Sequence, residues 1–155
     1  MTKHNTTAYY DAKLDIGLEF QDFVAKKFMD MGMPIITHSS RKSQLNGENT
    51  NGFEIKRDGG FRKSGNLFIE TSERPNILCP NFKPSGIYRD DNTWLYVIGD
   101  EKTFYIFSLK YLVNCHESKK YREVHSAVGT SYGFLLPIKD ATPNALKIWG
   151  AENAR

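Results

Sequence analysis

Cysteine is scarce in this chain: there are two, Cys79 and Cys115, and neither stands at metal-ligand spacing from the other or from the four histidines. That argues against a local zinc motif and against a disulfide-dense scaffold, and it leaves both as plain thiols. Long apolar runs are also missing, as is a basic stretch followed by a hydrophobic one at the start. Neither a membrane span nor a secretory leader is therefore expected, and a cytoplasmic location is the default. Charge of one sign does not dominate, with 21 Lys+Arg against 18 Asp+Glu and a formal net charge of +3. Such a balance permits nucleic-acid binding without demanding it, because the geometry of a basic patch matters more than the total. No internal repeat, low-complexity tract or linker divides the chain. At 155 residues it has room for one real core and not obviously for two, so residues 1–155 are read as a single domain.

What is present is a helical pattern followed by several strand patterns. Residues 1–10 are polar and read as loose. From Asp11 to Met31, Ile16, Phe20, Phe23, Val24, Phe28 and Met31 recur at three and four. They predict a helix that packs one stripe on a sheet, with Asp11 as a cap and Gly32 as the stop. Pro34–His38 reads as a short buried strand, and Ser39–Asn51 as a long polar loop. Trp94–Ile98 and Thr103–Phe107, with Gly99-Asp100 between them, predict a hairpin in the sheet interior. Their aromatics could stack on bases, but alternating strand spacing favours core packing. Ser108 predicts an N-cap for a helix over Leu109–Cys115. Tyr132–Ile138 reads as a strand with Pro137 at an edge or end, and Asn144–Trp149 as a short helix with Pro143 in its first turn. Helices at both ends of a strand cluster give an α/β or α+β domain with a central mixed sheet flanked by helices.

The stretch Asn46–Arg74 carries the chemistry. Phe53–Asp58 and Asn66–Glu73 read as two strands joined through Gly59-Gly60 and Ser64-Gly65, a predicted hairpin. Residues two apart share a face of a strand, so Glu54, Lys56 and Asp58 project together. With the turn near Arg62, Glu70 and Ser72 fall on that same face. Two carboxylates held close repel each other, and a divalent cation removes the conflict. Oxygen ligands from Asp and Glu, completed by water, are what Mg²⁺ binds. A lysine beside them can orient an attacking water or offset charge on a phosphate. On spacing alone, the solvated face of a half-exposed hairpin fits equally well.

GFEIKRD followed by SGNLFIETSER resembles the core of the PD-(D/E)XK, or restriction-endonuclease-like, nucleases. More narrowly it is similar to small phage and bacterial proteins with a GEN…GxEIKxD…GNxxIE pattern. The resemblance implies a restriction-endonuclease-like core and a metal-dependent endonuclease that hydrolyses DNA with Mg²⁺ or Mn²⁺. It implies Glu54 and Glu70 as ligands and catalytic acids, with Asp58 as a further ligand. Glu19, on the first helix, is implied as a supporting acid, although an ordinary exposed glutamate fits there too. The family's second motif usually reads Glu-x-Lys, whereas Glu70 is followed by Thr71-Ser72. Lys56 is then the residue expected to take the lysine's role. Without that lysine, the same fold would serve as a nucleic-acid-binding or partner-binding module.

Basic residues gather near this stretch. Arg41, Lys42, Arg62 and Lys63 are candidate phosphate contacts, and Lys119, Lys120 and Arg122 read as a solvated face. The sequence does not separate monomer from homodimer, although a domain this small ordinarily needs two copies to cut both strands of a duplex.

Overall fold

The computed structural model describes residues 3–33 and 52–150, with side chains from residue 11 onward. The strand expected at 34–38 and the polar loop after it, Arg41 and Lys42 included, lie outside the described residues. The class is mixed α+β. The strands form two four-stranded sheets where a single central one was expected. The first runs β1 (Phe53–Arg57), β4 (Leu95–Gly99), β5 (Phe104–Ser108), β8 (Lys147–Trp149). The second runs β3 (Lys83–Pro84), β2 (Asn66–Glu73), β7 (Ser131–Pro137), β6 (Glu123–His125). Among the described residues only β1 and β4 pair in parallel; the other pairings are antiparallel.

Alternation along β4 and β5 explains the layering. Leu95, Val97, Phe104 and Ile106 pack with Phe20, Val24 and Phe28 of the long helix α1 (Lys3–Asp30). Tyr96, Ile98, Tyr105 and Phe107 pack on the other face with Leu67, Ile69, Phe134 and Leu136 of the second sheet. Both strands are thus covered on both sides, which is why they read as continuous apolar runs. Phe20 and Val24 are fully buried, and each such side chain contributes roughly 1.5–3 kcal/mol of transfer free energy. The ends of the predicted stripe, Ile16 and Met31, are exposed at 43% and 39%, so only its middle docks.

Several expectations hold. The 95–99/104–108 hairpin forms, and Ser108 caps α3 (Leu109–Glu117), its Oγ accepting from the Tyr111 amide at 3.1 Å. Gly32 closes the first helix with a left-handed φ of 80°. Besides the single sheet, three expectations do not hold. The helix starts at Lys3 and so includes most of the segment read as loose. The C-terminal helix is displaced: α4 spans Ile138–Asn144 with Pro143 inside it, and 147–149 form β8. The Leu146 amide donates to Ile106 O at 2.8 Å, and Trp149 stacks on Phe104 at 5.3 Å, so pairing with β5 overrides local helical preference.

The third correction concerns the central stretch. β1 and β2 are not a hairpin, for they belong to different sheets. Between them Phe61–Ser64 forms a helical turn, α2, closed by Gly65 in the left-handed conformation. Phe61 is buried edge-on against Tyr105, 6.1 Å between ring centres, so the connection is anchored in the core. β1, before it, pairs with β4, and β2, after it, pairs with β7.

Candidate active site

In β1, Phe53 and Ile55 face α1, so Glu54 and Lys56 point the other way, beside their parallel partners Tyr96 and Ile98. Glu70 arrives from β2. The register of β2 against β7 shifts between Glu70 and Ser72, an irregularity of the kind that re-aims a side chain. The Lys56 ammonium then lies between the two acids, 3.0 Å from Glu54 Oε1 and 3.6 Å from Glu70 Oε1. Both acid side chains are 13% exposed and the lysine 32%, so all three are partly buried and the lysine side chain is the least so. Glu54, Lys56 and Glu70, three of the expected residues, therefore meet, although the geometry that unites them is not the predicted hairpin. Ser72, two residues further along β2, is opposite Pro84 on one side and Tyr132 on the other.

A turn after β3, which no pattern in the sequence analysis singled out, supports Glu70. Ser85 is fully buried, and its Oγ donates to Glu70 Oε1 at 2.8 Å. Arg89 Nη2 donates to that same Ser85 Oγ at 3.4 Å and lies 3.6 Å from Glu73 Oε1. Between them Gly86–Tyr88 makes one 3-10 turn. Gly86 has φ 55°, and a Cβ there would stand 2.2 Å from the Glu70 carbonyl oxygen, so only glycine lets the turn lie this close to β2. On the far side of the turn Tyr88 Oη meets His116 Nδ1 at 2.7 Å, and His116 Nε2 meets Glu123 Oε1 at 2.6 Å. This chain of bonds ties the turn to α3 and β6.

Electrostatics follow from these contacts. Burial alone would raise the Glu70 pKa, but Lys56 and hydrogen bonds from Ser131 and Ser85 outweigh it and hold the carboxyl below its ordinary value. Burial likewise works against the charge of Lys56, and Glu54 and Glu70 overcome it, raising its pKa above the usual lysine range. Tyr96 is fully buried beside all three groups, and burial raises its pKa despite the nearby ammonium. Its hydroxyl has no hydrogen-bond partner among the described residues.

The remaining expected residues lie elsewhere. Asp58 is committed to the backbone: Oδ1 accepts from Gly60 N at 2.9 Å and Oδ2 from Phe68 N at 3.0 Å, joining the end of β1 to β2. Glu19 is exposed on α1, across the first sheet from Glu54. Arg62 forks onto Asp100 at 2.7 and 2.9 Å, so its charge is neutralised, while Lys63 is exposed on α2. Neighbouring Arg57 is likewise paired, with Glu101. Of the candidate phosphate contacts, then, Arg62 is held in an ion pair and Lys63 is exposed, while Arg41 and Lys42 lie outside the described residues.

Among the described residues no group of three or more His, Cys, Asp or Glu side chains draws together as a metal-ligand set. Glu54 and Glu70 alone still suit Mg²⁺, which is commonly held by one or two carboxylates with water and substrate phosphate completing the shell. No described helix is long and apolar enough to cross a membrane. Comparison with protein-family models, curated proteins and solved structures returns no match. What the chain presents is an α+β domain with a glutamate–lysine–glutamate cluster where its two sheets meet.

Proposed function

We propose that this protein is a Mg²⁺- or Mn²⁺-dependent endonuclease that hydrolyses DNA phosphodiester bonds, of the restriction-endonuclease-like kind found in phages and bacteria. The observation that carries the reading is the Lys56 ammonium lying within 3.6 Å of carboxylate oxygens from both Glu54 and Glu70. Glu54 and Glu70 would hold the cation. When bound, such an ion polarises a phosphoryl oxygen and lowers the pKa of a coordinated water. Lys56 binds a non-bridging phosphate oxygen and offsets the charge that grows there during attack. Ser85 and Ser131 keep the Glu70 carboxylate ionised and fixed in orientation. Two copies would act together on the strands of a duplex.

A second reading has its own support. The described residues hold no group of three or more potential metal-ligating side chains, and the lysine already offsets one of the two charges of this pair. That favours a module that grips nucleic acid without cutting it. Incubation of supercoiled plasmid with Mg²⁺ or Mn²⁺, with and without a chelator, separates the two. Cation-dependent nicking supports the nuclease. A gel shift without nicking supports the binding module, and neither result would remove nucleic acid as the substrate.

A further inference from the structure

Resting on the nuclease reading, we infer that the Lys56 ammonium and a divalent cation are alternative occupants of one position, so that a phosphodiester and the cation load together. The argument starts from the oxygens. Lys56 Nζ faces Oε1 of Glu54 and Oε1 of Glu70, at 3.0 and 3.6 Å. A cation bridging the same two carboxylates would stand where the ammonium now stands, and at such a separation the two positive centres repel strongly. One of them must leave. Two carboxylates and one ammonium sum to a single negative charge. Replacing the ammonium by a dication neutralises the carboxylates but leaves Lys56 without its counter-ions.

An anion within reach of its long stem restores the balance, and a phosphodiester carries the one negative charge required. The ammonium is the group free to travel, because its side chain is 32% exposed against 13% for each acid. Glu70 is held at that same Oε1 by the Ser85 hydroxyl at 2.8 Å and stays in place during the exchange. Tyr96 adds an independent observation. Its fully buried hydroxyl lies beside Lys56, Glu54 and Glu70 and has no hydrogen-bond partner among the described residues. Such a donor fits a water or phosphate oxygen brought in with the cation. Lys56 is thus a tethered counter-ion that guards the acids until substrate draws it away.

The consequence is heterotropic linkage: each ligand should raise the affinity of the other by the same factor. Mn²⁺ binding to the full chain, followed by loss of the free-ion paramagnetic resonance signal, reads this directly without turnover. Saturating dimethyl phosphate, a minimal phosphodiester, should tighten Mn²⁺ on the wild type by about tenfold, within the common range of coupling. Lys56→Met should bind Mn²⁺ about tenfold more tightly than wild type with no phosphate present, and should lose the response to dimethyl phosphate. Mn²⁺ affinity on the wild type that dimethyl phosphate leaves unchanged overturns the inference, and that arm does not depend on the variant folding. Equal affinity of wild type and folded Lys56→Met, abolished in both by Glu70→Gln, overturns it while leaving the cation site standing. No Mn²⁺ binding to either protein overturns both the exchange and the cation site of the nuclease reading.

Discussion

Removing one hydroxyl, in Ser85→Ala, tests how the Glu70 carboxylate is held. The Ser85 side chain is fully buried and donates to Glu70 Oε1 at 2.8 Å. A hydrogen bond to a charged group contributes about 1.5–3 kcal/mol, and one between neutral partners about 1 kcal/mol. The variant should therefore be less stable by about 2 kcal/mol at pH 7. The pH dependence is the sharper part. The Glu70 pKa in the folded protein lies below its ordinary 4.5, because Lys56, Ser131 and Ser85 outweigh desolvation. A carboxyl depressed on folding contributes stability that is present above its unfolded pKa and lost as pH falls through its folded pKa. Removing Ser85 raises the folded pKa toward the ordinary value and shrinks that contribution. The gap between wild type and Ser85→Ala in urea unfolding should then be widest at neutral pH. It should narrow as pH drops below 4.5 and through the folded pKa, as Glu70 protonates in both. A gap of unchanged size across that range would refute the reasoning, for it would mean that the serine merely fills space.

Gly86→Ala should be worse, destabilising by more than about 2 kcal/mol, since it combines a left-handed φ with a Cβ driven against the Glu70 carbonyl. Its measure is the urea midpoint, and an unchanged midpoint would show that the turn does not press on β2. Phe20→Ala should cost roughly 3–5 kcal/mol, because the ring is fully buried between α1 and the first sheet. A loss below 1 kcal/mol, read the same way, would contradict that layering. Glu19→Gln should leave both the melting temperature and DNA cleavage unchanged, given its exposed place across the sheet. A fall in cleavage rate would restore it to the site.

Much of the core was legible because it rests on local pattern. The apolar runs at 95–98 and 104–107 are separated by Gly99-Asp100, and their pairing needs nothing beyond a turn. Ser108 declares its cap by position alone. The site was legible in composition and not in construction. Gly59-Gly60 and Ser64-Gly65 do mark reversals, yet turn chemistry does not choose a strand's partner. That choice was made by Phe61 burying against Tyr105 and by β4 offering β1 a parallel neighbour. Glu54 and Lys56 share a face in any extended strand, so that part survived the change of topology. Glu70 joined them across two sheets, which no local rule foretells. Asp58 has the same parity as Glu54, but at the strand's end the free amides of Gly60 and Phe68 claimed it. Ser85, Arg89 and Tyr96 come to the cluster only through tertiary contacts, and the one visible hint was the Ser-Gly pair at 85–86. The Tyr88–His116–Glu123 chain joins residues far apart in sequence and left no signal at all.

The central claim is that Glu54, Lys56 and Glu70 perform phosphodiester hydrolysis together. Single-turnover cleavage of supercoiled plasmid in Mn²⁺ tests it most directly, comparing wild type with Glu70→Gln and Lys56→Met proteins shown by circular dichroism to be folded. Loss of an ion ligand or of the group that neutralises the growing charge should each slow cleavage by about 100-fold or more. Both variants should still shift DNA on a gel, because one phosphate-range charge is a small part of the binding. Cleavage by both variants at the wild-type rate would contradict the account and place the chemistry elsewhere on the chain.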